Sequence, residues 1–332
     1  MFQDANISIF AGSGGEAIAK RMCDYMNWPL GKSEVIRFSE GNTFVRIHET
    51  VRDRDVYVVQ PIGMSPNDEF VEILFWMDAV KRASAQSVTL VMPYFGYAKG
   101  DKKDEPRVSI RARVCAECIE LAGADRLMTM DLHSPQVQGF FKRSMDHLYA
   151  MPILAETVRR MKLPEKTVVV SPDAGYAKQA RRFGALVGFP VAIGDKTRSG
   201  HDERAEVLDI IGEVEGRDAL IVDDFSISAG TLTNLAQELR RRGVRRVMAL
   251  LSHNIVSAEG VKRLADSPIE AVISTDTVDN PHIKGNPMFK TISVAPLFAE
   301  TIIRYYNSQS ISPLFSCVPD FVYDAGVRMM QG

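Results

Sequence analysis

The chain has 332 residues, and its 40 Lys and Arg against 42 Asp and Glu leave a formal net charge of −2. Without a basic excess it is not expected to hold nucleic acid by bulk electrostatics, and its 45% hydrophobic content is too high for a disordered protein. At this length we expect two domains. No apolar run approaches the ~20 residues that cross a bilayer, so no membrane span is expected, and the first residues do not resemble a secretory signal.

The four cysteines do not form the pattern of a disulfide framework. Cys115 and Cys118 make a C-x-x-C pair, but no second pair or histidines follow at zinc-site spacing. We interpret this pair as part of an apolar helix face that also carries Val114, Ile119, Leu121 and Ala122. The cysteine usage therefore predicts a reduced, cytoplasmic protein.

Strands and helices alternate along the first half of the chain. Short buried strands are predicted at 7–11, 35–38, 55–60, 88–93 and 126–130, and a half-covered strand at 43–48. A helix is predicted to begin at 67–69, since Phe70, Ile73, Leu74 and Met77 then follow at helical spacing.

A second, similar series begins near residue 150, after a predicted hinge at Met151 and Pro152. Its strands are predicted at 167–170, 191–193, 219–222, 246–251 and 270–274, with a helix that ends at Gly243 and another over 296–307. The tail over 308–332 is less regular. This alternation predicts an α/β protein with mostly parallel sheets.

The most informative segment is ALIVDDFSISAGT over 219–231. An apolar strand ends in Asp223 and Asp224, and a loop of small residues then leads into a helix. Small residues let backbone N–H groups converge on a phosphate at a helix N-terminus, while two carboxylates accept hydrogen bonds from vicinal sugar hydroxyls. The pattern predicts a phosphoribosyl site; the alternative is a solvated acidic turn.

This segment resembles the ribose-5-phosphate loop of the ribose-phosphate pyrophosphokinases, the phosphoribosyl pyrophosphate synthetases. Further segments resemble the same family in the same order: RFSEG at 37–41, PYFGYA at 93–98 with DKK at 101–103, DLH at 131–133 with QGFF at 138–141, and SPDAG at 171–175. The resemblance covers about 7–315. It implies two similar domains of the type I phosphoribosyltransferase kind, 1–149 and 150–307, with 308–332 joining the first.

The resemblance implies that ATP transfers its β,γ-diphosphoryl group to the C1 hydroxyl of ribose 5-phosphate, and that AMP leaves. It also implies Mg²⁺ as cofactor and inorganic phosphate as activator. The site residues that it implies are: for ribose 5-phosphate, Asp223, Asp224, Ser228, Ala229, Gly230 and Thr231; for the nucleotide, Phe38, Glu40, Asn42, Lys99, Gly100, Asp101 and Lys102; for the metal, His133 and Asp173; for catalysis, Lys196 and Arg198 on a flexible loop over 194–200; and for an allosteric anion, Ser310, Ser312 and Phe315. A homo-oligomer built from dimers, up to a hexamer, is expected.

Several positions depart from the family pattern. Ile227 stands where a third Asp is usual, Asn42 replaces an acidic residue, and Lys99 and Gly100 replace Arg and Gln. Because Lys lacks the planar fork of Arg, nucleotide binding is expected to differ. Tyr176, in place of Gly, adds bulk beside the predicted metal position.

These departures leave two alternatives to an active synthetase. One is a non-catalytic paralogue that regulates a partner synthetase; the other is a phosphoribosyltransferase, a class that resembles only the second half of the chain. A further pattern, GSGGEA over 12–17, fits a dinucleotide fingerprint. We reject it because no acidic residue ends the following strand.

Overall fold

The computed structural model describes residues 6–198 and 206–330, with the backbone alone described at 196–198 and 206–208. The chain divides into two compact units. The first contains Met1–Tyr149, Thr277–Asp279 and Ser293–Gly332, and the second contains Ala150–Asp276 and Asn280–Ile292.

Strands and helices alternate as predicted. The strands are β1 (Ile7–Ala11), β2 (Ser33–Arg37), β3 (Thr43–Ile47), β4 (Asp55–Val59), β5 (Ser87–Met92), β6 (Arg126–Met130), β7 (Ser144–Leu148), β8 (Thr167–Ser171), β9 (Val191–Arg198), β10 (Glu206–Ile211), β11 (Asp218–Ser226), β12 (Arg246–Asn254), β13 (Ile269–Thr275) and β14 (Phe289–Ile292). The α-helices are α1 (Glu16–Met26), α2 (Pro66–Arg82), α3 (Arg111–Ala122), α4 (Met151–Arg160), α5 (Ala177–Val187), α6 (Gly230–Arg241), α7 (Ala258–Ala265), α8 (Ala295–Tyr306) and α9 (Asp320–Arg328).

The first unit is built on a parallel sheet in the order β1-β4-β5-β6-β7. Strands β1, β4 and β5 are short and rich in Val and Ile, the composition of strands covered on both faces. Trp76 of α2 is fully buried and lies with its ring centroid 5.8 Å from that of Phe10 on β1. Strands β2 and β3 form a separate antiparallel hairpin. The helices thus bury the faces of the sheet and leave the strand ends for a site.

The second unit is built on a sheet in the order β10-β9-β8-β11-β12-β13-β14. All its neighbouring strands are parallel except β9 and β10, which run antiparallel at one edge. One apolar face of α6, with Leu232, Leu235 and Leu239, is fully or almost fully buried against this sheet. The predicted fold class is therefore confirmed: two α/β units, each with a mostly parallel sheet flanked by helices.

The apolar face predicted for α3 has the wrong phase. Cys115 and Ile119 are buried, as expected, but Val114 is 50% exposed and Leu121 is 89% exposed. The buried face instead runs through Ala112, Cys115, Ala116 and Ile119. The error arises because small residues form much of the buried face, while larger apolar residues on the other face dominate a sequence pattern.

Three other elements differ from the prediction. Met151 and Pro152 form the first turn of α4 rather than a hinge, which suits proline because the first helical positions need no N–H donor. Helix α8, which we placed in the second domain, packs against α1 in the first unit. The tail contains α9, with Val322 and Tyr323 buried. These differences depend on which surface a helix covers, and a local pattern does not carry that information.

Candidate active site

The two predicted sugar-binding carboxylates lie on β11, where its pairing becomes one-sided. Strand β11 pairs with β8 only as far as Ile221, whereas its pairing with β12 continues to Ser226. We expected Asp223 and Asp224 to follow the strand, but in the structure they are part of it. Strand β8 no longer pairs with β11 at this point, so a ligand has access to β11 from that side.

The carboxylate pair is held by its own backbone. The N–H of Asp224 donates to Oδ1 of Asp223 at 2.9 Å, and the N–H of Phe225 donates to Oδ1 of Asp224 at 2.8 Å. Burial, the negative charge of Asp224 and the more distant charge of Asp173 together raise the pKa of Asp223 to about 8. Ionisation of both carboxyls is therefore unfavourable in the free protein, and hydroxyl donors or a divalent cation would favour it.

A tight loop joins β11 to α6. Ala229, which is buried, has φ +59° in the left-handed region that L residues seldom adopt, and α6 begins at the next residue, Gly230. The first N–H groups of a helix have no acceptor within the helix, so they are available to an anion. Ser228 is exposed beside them, and Thr231 lies in the first helical turn. The predicted phosphate loop therefore has the local geometry that the sequence indicated.

Helix α7 supports this loop from one side. The N–H of Ser257 donates to the carbonyl of Ile227 at 2.9 Å, and a Cβ on Gly260 would lie 2.6 Å from that carbonyl oxygen. Only glycine allows α7 to approach so closely. Arg263, in the last turn of α7, has Nη1 3.2 Å from the position of a Cβ on Gly230. Sequence reasoning missed Arg263 because no spacing rule links it to a loop more than thirty residues earlier.

The two predicted metal ligands lie in different units. In the second unit Asp173 follows β8 and is exposed, and its Oδ1 accepts the N–H of Tyr176 at 3.0 Å. The charge of Asp173 also contributes to the raised pKa of Asp223. In the first unit His133 follows β6 and is exposed. Among the described residues, no group of three His, Cys, Asp or Glu side chains is placed to hold a metal alone.

A buried histidine supports the segment that carries His133. Nε2 of His147 on β7 accepts the N–H of Leu132 at 2.9 Å, and Asp131 adopts φ +36°. The N–H of Asp131 donates to the carbonyl of Leu148 at 3.1 Å. The turn before His133 is therefore fixed by β7. We did not predict this role because β7 carries no alternating apolar pattern.

The predicted flexible loop over 194–200 begins as a strand. Strand β9 continues through Arg198 and pairs with β10 in the register Lys196 opposite Leu208 and Arg198 opposite Glu206. The side chains of the predicted catalytic residues Lys196 and Arg198 lie outside the described part of the chain, as do Ser199 and Gly200. A polar composition led us to predict a loop here, but backbone pairing does not require an apolar face at a sheet edge.

The predicted nucleotide loop is the turn of the β2–β3 hairpin. Phe38 is 44% exposed, and its N–H donates to the carbonyl of Asn42 at 2.8 Å. The amide of Asn42 donates to Oε1 of Glu40 at 3.3 Å, and Gly41 takes φ +92°. The turn thus presents an aromatic ring and an acceptor, as the sequence predicted.

The predicted lysine segment follows β5. Lys99 ends a short 3-10 helix, Gly96–Lys99, while Lys102 and Lys103 are exposed and Asp101 is half-buried. Gly100 is the C-cap of that 3-10 helix, and its carbonyl accepts the N–H of Ala112 in α3 at 3.1 Å. The structure therefore places these residues together at the carboxyl end of β5, where ligands of parallel sheets bind.

The predicted allosteric segment forms a short 3-10 helix, Ser312–Phe315. The N–H of Ser312 donates to Oγ of Ser310 at 3.3 Å, and the Phe315 ring lies 6.2 Å from the ring of Tyr149. Both serines are exposed. Hydroxyls on a surface turn can donate to an anion, so the geometry is compatible with the predicted role.

The GSGGEA loop uses its donors within the protein. The N–H of Ser13 donates to Oε1 of Glu72 at 2.8 Å, and the N–H of Gly14 donates to Oε1 of Gln60 at 3.0 Å. A dinucleotide phosphate would need these same donors. We rejected dinucleotide binding at this loop from the sequence, and the use of these donors within the protein gives a physical reason for that rejection.

Comparison with known proteins identifies the family to which the chain is similar. Residues 7–123 match the family model of the N-terminal domain of ribose phosphate pyrophosphokinase, and residues 199–316 match that of the phosphoribosyl synthetase-associated domain. The chain is 40% identical to a ribose-phosphate pyrophosphokinase of Thermosipho africanus, over 93% of this chain and 97% of the relative. It is 41% identical to one of Rhizobium meliloti, over 93% of this chain and 100% of the relative.

A solved structure agrees as well. The phosphoribosylpyrophosphate synthetase of Mycobacterium smegmatis superimposes with a TM-score of 0.86 and 33% identity, covering 91% of this chain and 99% of that one. Identity of about 40% across almost the full length of both chains extends over both units. The chain therefore belongs to the ribose-phosphate pyrophosphokinase family.

Proposed function

We propose that this chain transfers the β,γ-diphosphoryl group of ATP to the C1 hydroxyl of ribose 5-phosphate. The hydroxyl oxygen bonds to the β-phosphorus, the bond from that phosphorus to the α,β-bridging oxygen breaks, and AMP leaves with the bridging oxygen while the hydroxyl proton is lost. The observation that carries the proposal is the pair Asp223 and Asp224 beside the free N-terminus of α6. The carboxylates can bind the sugar hydroxyls, and the backbone N–H groups at the start of α6 can bind the sugar phosphate. Both sets of groups lie near the carboxyl end of β11.

Phosphoryl transfer depends mainly on positioning and on neutralising charge, and each proposed residue contributes to one of these. Lys196 and Arg198 neutralise the transferring group. Phe38, Glu40 and Asn42 hold the base of ATP, and Lys99, Gly100, Asp101 and Lys102 adjoin its phosphates. Ser228, Ala229, Gly230 and Thr231 hold the 5-phosphate of the sugar.

Mg²⁺ fits the residues present. It binds proteins through few ligands and takes the rest from substrate phosphates and water, and the exposed carboxylate of Asp173 stands where negative charge already raises the pKa of Asp223. We assign His133 and Asp173 as its protein contacts. When bound, Mg²⁺ neutralises charge on the triphosphate.

Regulation, assembly and location are proposed on separate grounds. Inorganic phosphate is proposed as an activator that binds at Ser310, Ser312 and Phe315. A dimer-based homo-oligomer, up to a hexamer, is also proposed, and the exposed Phe75 and Leu121 are apolar side chains that its interfaces could bury. A reducing cytoplasm is supported by the four free cysteines, because disulfides are rare in that compartment. Among the described residues, no helix has the length and apolarity to span a bilayer.

A direct assay separates this proposal from the two alternatives. Purified protein is incubated with ribose 5-phosphate, MgATP and inorganic phosphate, and nucleotides and sugar phosphates are separated by anion exchange. We expect AMP and phosphoribosyl pyrophosphate in equal amounts. Absence of product with every nucleoside triphosphate would favour the non-catalytic paralogue. Nucleotide formed from phosphoribosyl pyrophosphate and a free base would favour the transferase.

We predict that Arg263→Gln raises the KM for ribose 5-phosphate about 10–100-fold, the effect of losing one hydrogen bond to a charged group. The guanidinium lies at the N-terminus of α6, where no acidic residue occupies the first turn. The KM for ATP is expected to stay unchanged. The neighbouring Lys262→Gln serves as the matched control, because both residues stand in the last turn of α7. Equal KM values in the two variants would contradict a contact with the phosphate.

A further inference from the structure

The side chain of Arg111 lies flat against the backbone of Gly100. A Cβ on Gly100 would stand 2.7 Å from Nε and 2.9 Å from Cβ of Arg111, which is closer than real side-chain atoms approach. The N–H of Ala112 also donates to the carbonyl of Gly100 at 3.1 Å. The absence of a side chain at position 100 is therefore what makes room for Arg111.

Arg111 puts positive charge at the N-terminus of α3. Arg111 is the first residue of α3, it is exposed, and the first turn of α3 contains no acidic residue. A cation at a helix N-terminus opposes the helix dipole, unlike an anion. An anion bound at the guanidinium would offset this unfavourable charge, because an anion near a helix N-terminus is stabilised by the dipole.

The same place adjoins the lysine segment. Lys99 precedes Gly100, and Lys102 and Lys103 follow, with Asp101 as the intervening acidic residue. Lys99 stands where the family pattern has Arg, and an ammonium offers neither a planar fork nor paired donors to phosphate oxygens. Lys99 has no guanidinium, but Arg111 at the start of α3 supplies one beside Gly100.

We propose that Arg111 reaches across Gly100 to bind the polyphosphate of the nucleotide substrate, and so determines nucleotide affinity in this chain. The inference rests on the proposed function, which places the nucleotide at 99–102. It adds a residue that the sequence pattern did not indicate, and it couples that residue to the glycine beside it. Gly100 and Arg111 then act as a pair.

The test is a double-substitution cycle on nucleotide affinity, measured calorimetrically with the Mg²⁺ complex of a non-hydrolysable ATP analogue. Arg111→Ala is expected to weaken binding about 10–30-fold, and Arg111→Lys to restore part of it. Gly100→Ala is expected to weaken binding at least 5-fold, because the new methyl displaces the guanidinium. The double variant should be no weaker than Arg111→Ala alone.

Two controls separate the outcomes. Arg113→Ala removes an exposed arginine of the same helix that is paired with Glu117 at 2.9 Å, and it should leave nucleotide affinity unchanged. Ribose 5-phosphate affinity should be constant in all variants, which reports an intact second unit. Unchanged nucleotide affinity in Arg111→Ala, or additive effects in the double variant, would overturn the assignment. Failure of the unsubstituted chain to bind the analogue would overturn the proposed function itself.

Discussion

Replacing Lys196 by Ala is expected to lower kcat about 10²–10³-fold, the usual cost of removing one group that stabilises charge in a transition state. Lys196 lies on the β9–β10 ribbon at the edge of the second sheet. Its proposed role is to neutralise the charge on the oxygens around the reacting β-phosphorus, which is redistributed towards the leaving oxygen in the transition state. The KM values for both substrates are therefore expected to change much less than kcat.

The matched control is Lys166→Ala. Lys166 is exposed and directly precedes β8, so it stands at the opposite end of the sheet from the proposed site. Its removal should leave kcat within 2-fold. If Lys196→Ala retains full kcat in a steady-state assay of AMP release, the catalytic assignment is wrong, even if the protein makes phosphoribosyl pyrophosphate.

Asp223→Asn is expected to abolish tight binding of ribose 5-phosphate and to stabilise the folded protein. A carboxylate that accepts sugar hydroxyls contributes about 1.5–3 kcal/mol, so affinity should fall about 10–100-fold. The carboxyl is destabilising in the free protein, since burial and its acidic neighbours raise its pKa to about 8. Functional sites often carry such a cost in stability.

The sign of the pH dependence follows from this pKa. A carboxyl with a higher pKa in the folded state favours folding below its unfolded pKa of about 4, and this contribution is lost as the pH rises to about 8. The free energy of unfolding of Asp223→Asn should therefore exceed that of the unsubstituted protein at pH 8, and the excess should be smaller at pH 5. Urea titrations at both pH values measure it.

Asp218→Asn provides the contrast on the same strand. Asp218 begins β11, is 2% exposed, and its Oδ1 lies 3.3 Å from Nη2 of Arg245. This oxygen accepts no hydrogen bond, but the carboxylate faces an opposite charge. Substitution removes that charge pair, so it should destabilise the protein and leave ribose 5-phosphate affinity unchanged. If Asp223→Asn destabilises the fold in the same way, Asp223 has a structural role and not a binding one.

The sequence predicts the strands well because each is a short apolar run that ends in polar residues. Strand β1 and strand β6 match the predicted bounds in full. Strands β7, β10 and β14 were missed, since polar or charged residues interrupt their apolar runs at sheet edges. Burial at an edge is partial, so the pattern that marks a central strand is weak there.

The site was predictable where its residues are adjacent in the chain. Asp223 and Asp224 with the following loop form one segment, so strand, carboxylates and helix start could all be inferred together. His147 and Arg111 could not be predicted, because each acts on a residue more than ten positions away and only the fold brings them together. Gly100 is the one local signal of such a contact, since a glycine within a polar loop often marks a close approach.

The central claim is transfer of an intact diphosphoryl group, and the most direct measurement follows the label from two forms of ATP. The protein is incubated with ribose 5-phosphate and Mg²⁺, and with ATP labelled at either the β- or the γ-phosphorus. We predict that both labels appear in phosphoribosyl pyrophosphate, in equal yield and matched by AMP. Transfer of the γ-label alone, with release of ADP, would contradict the claim.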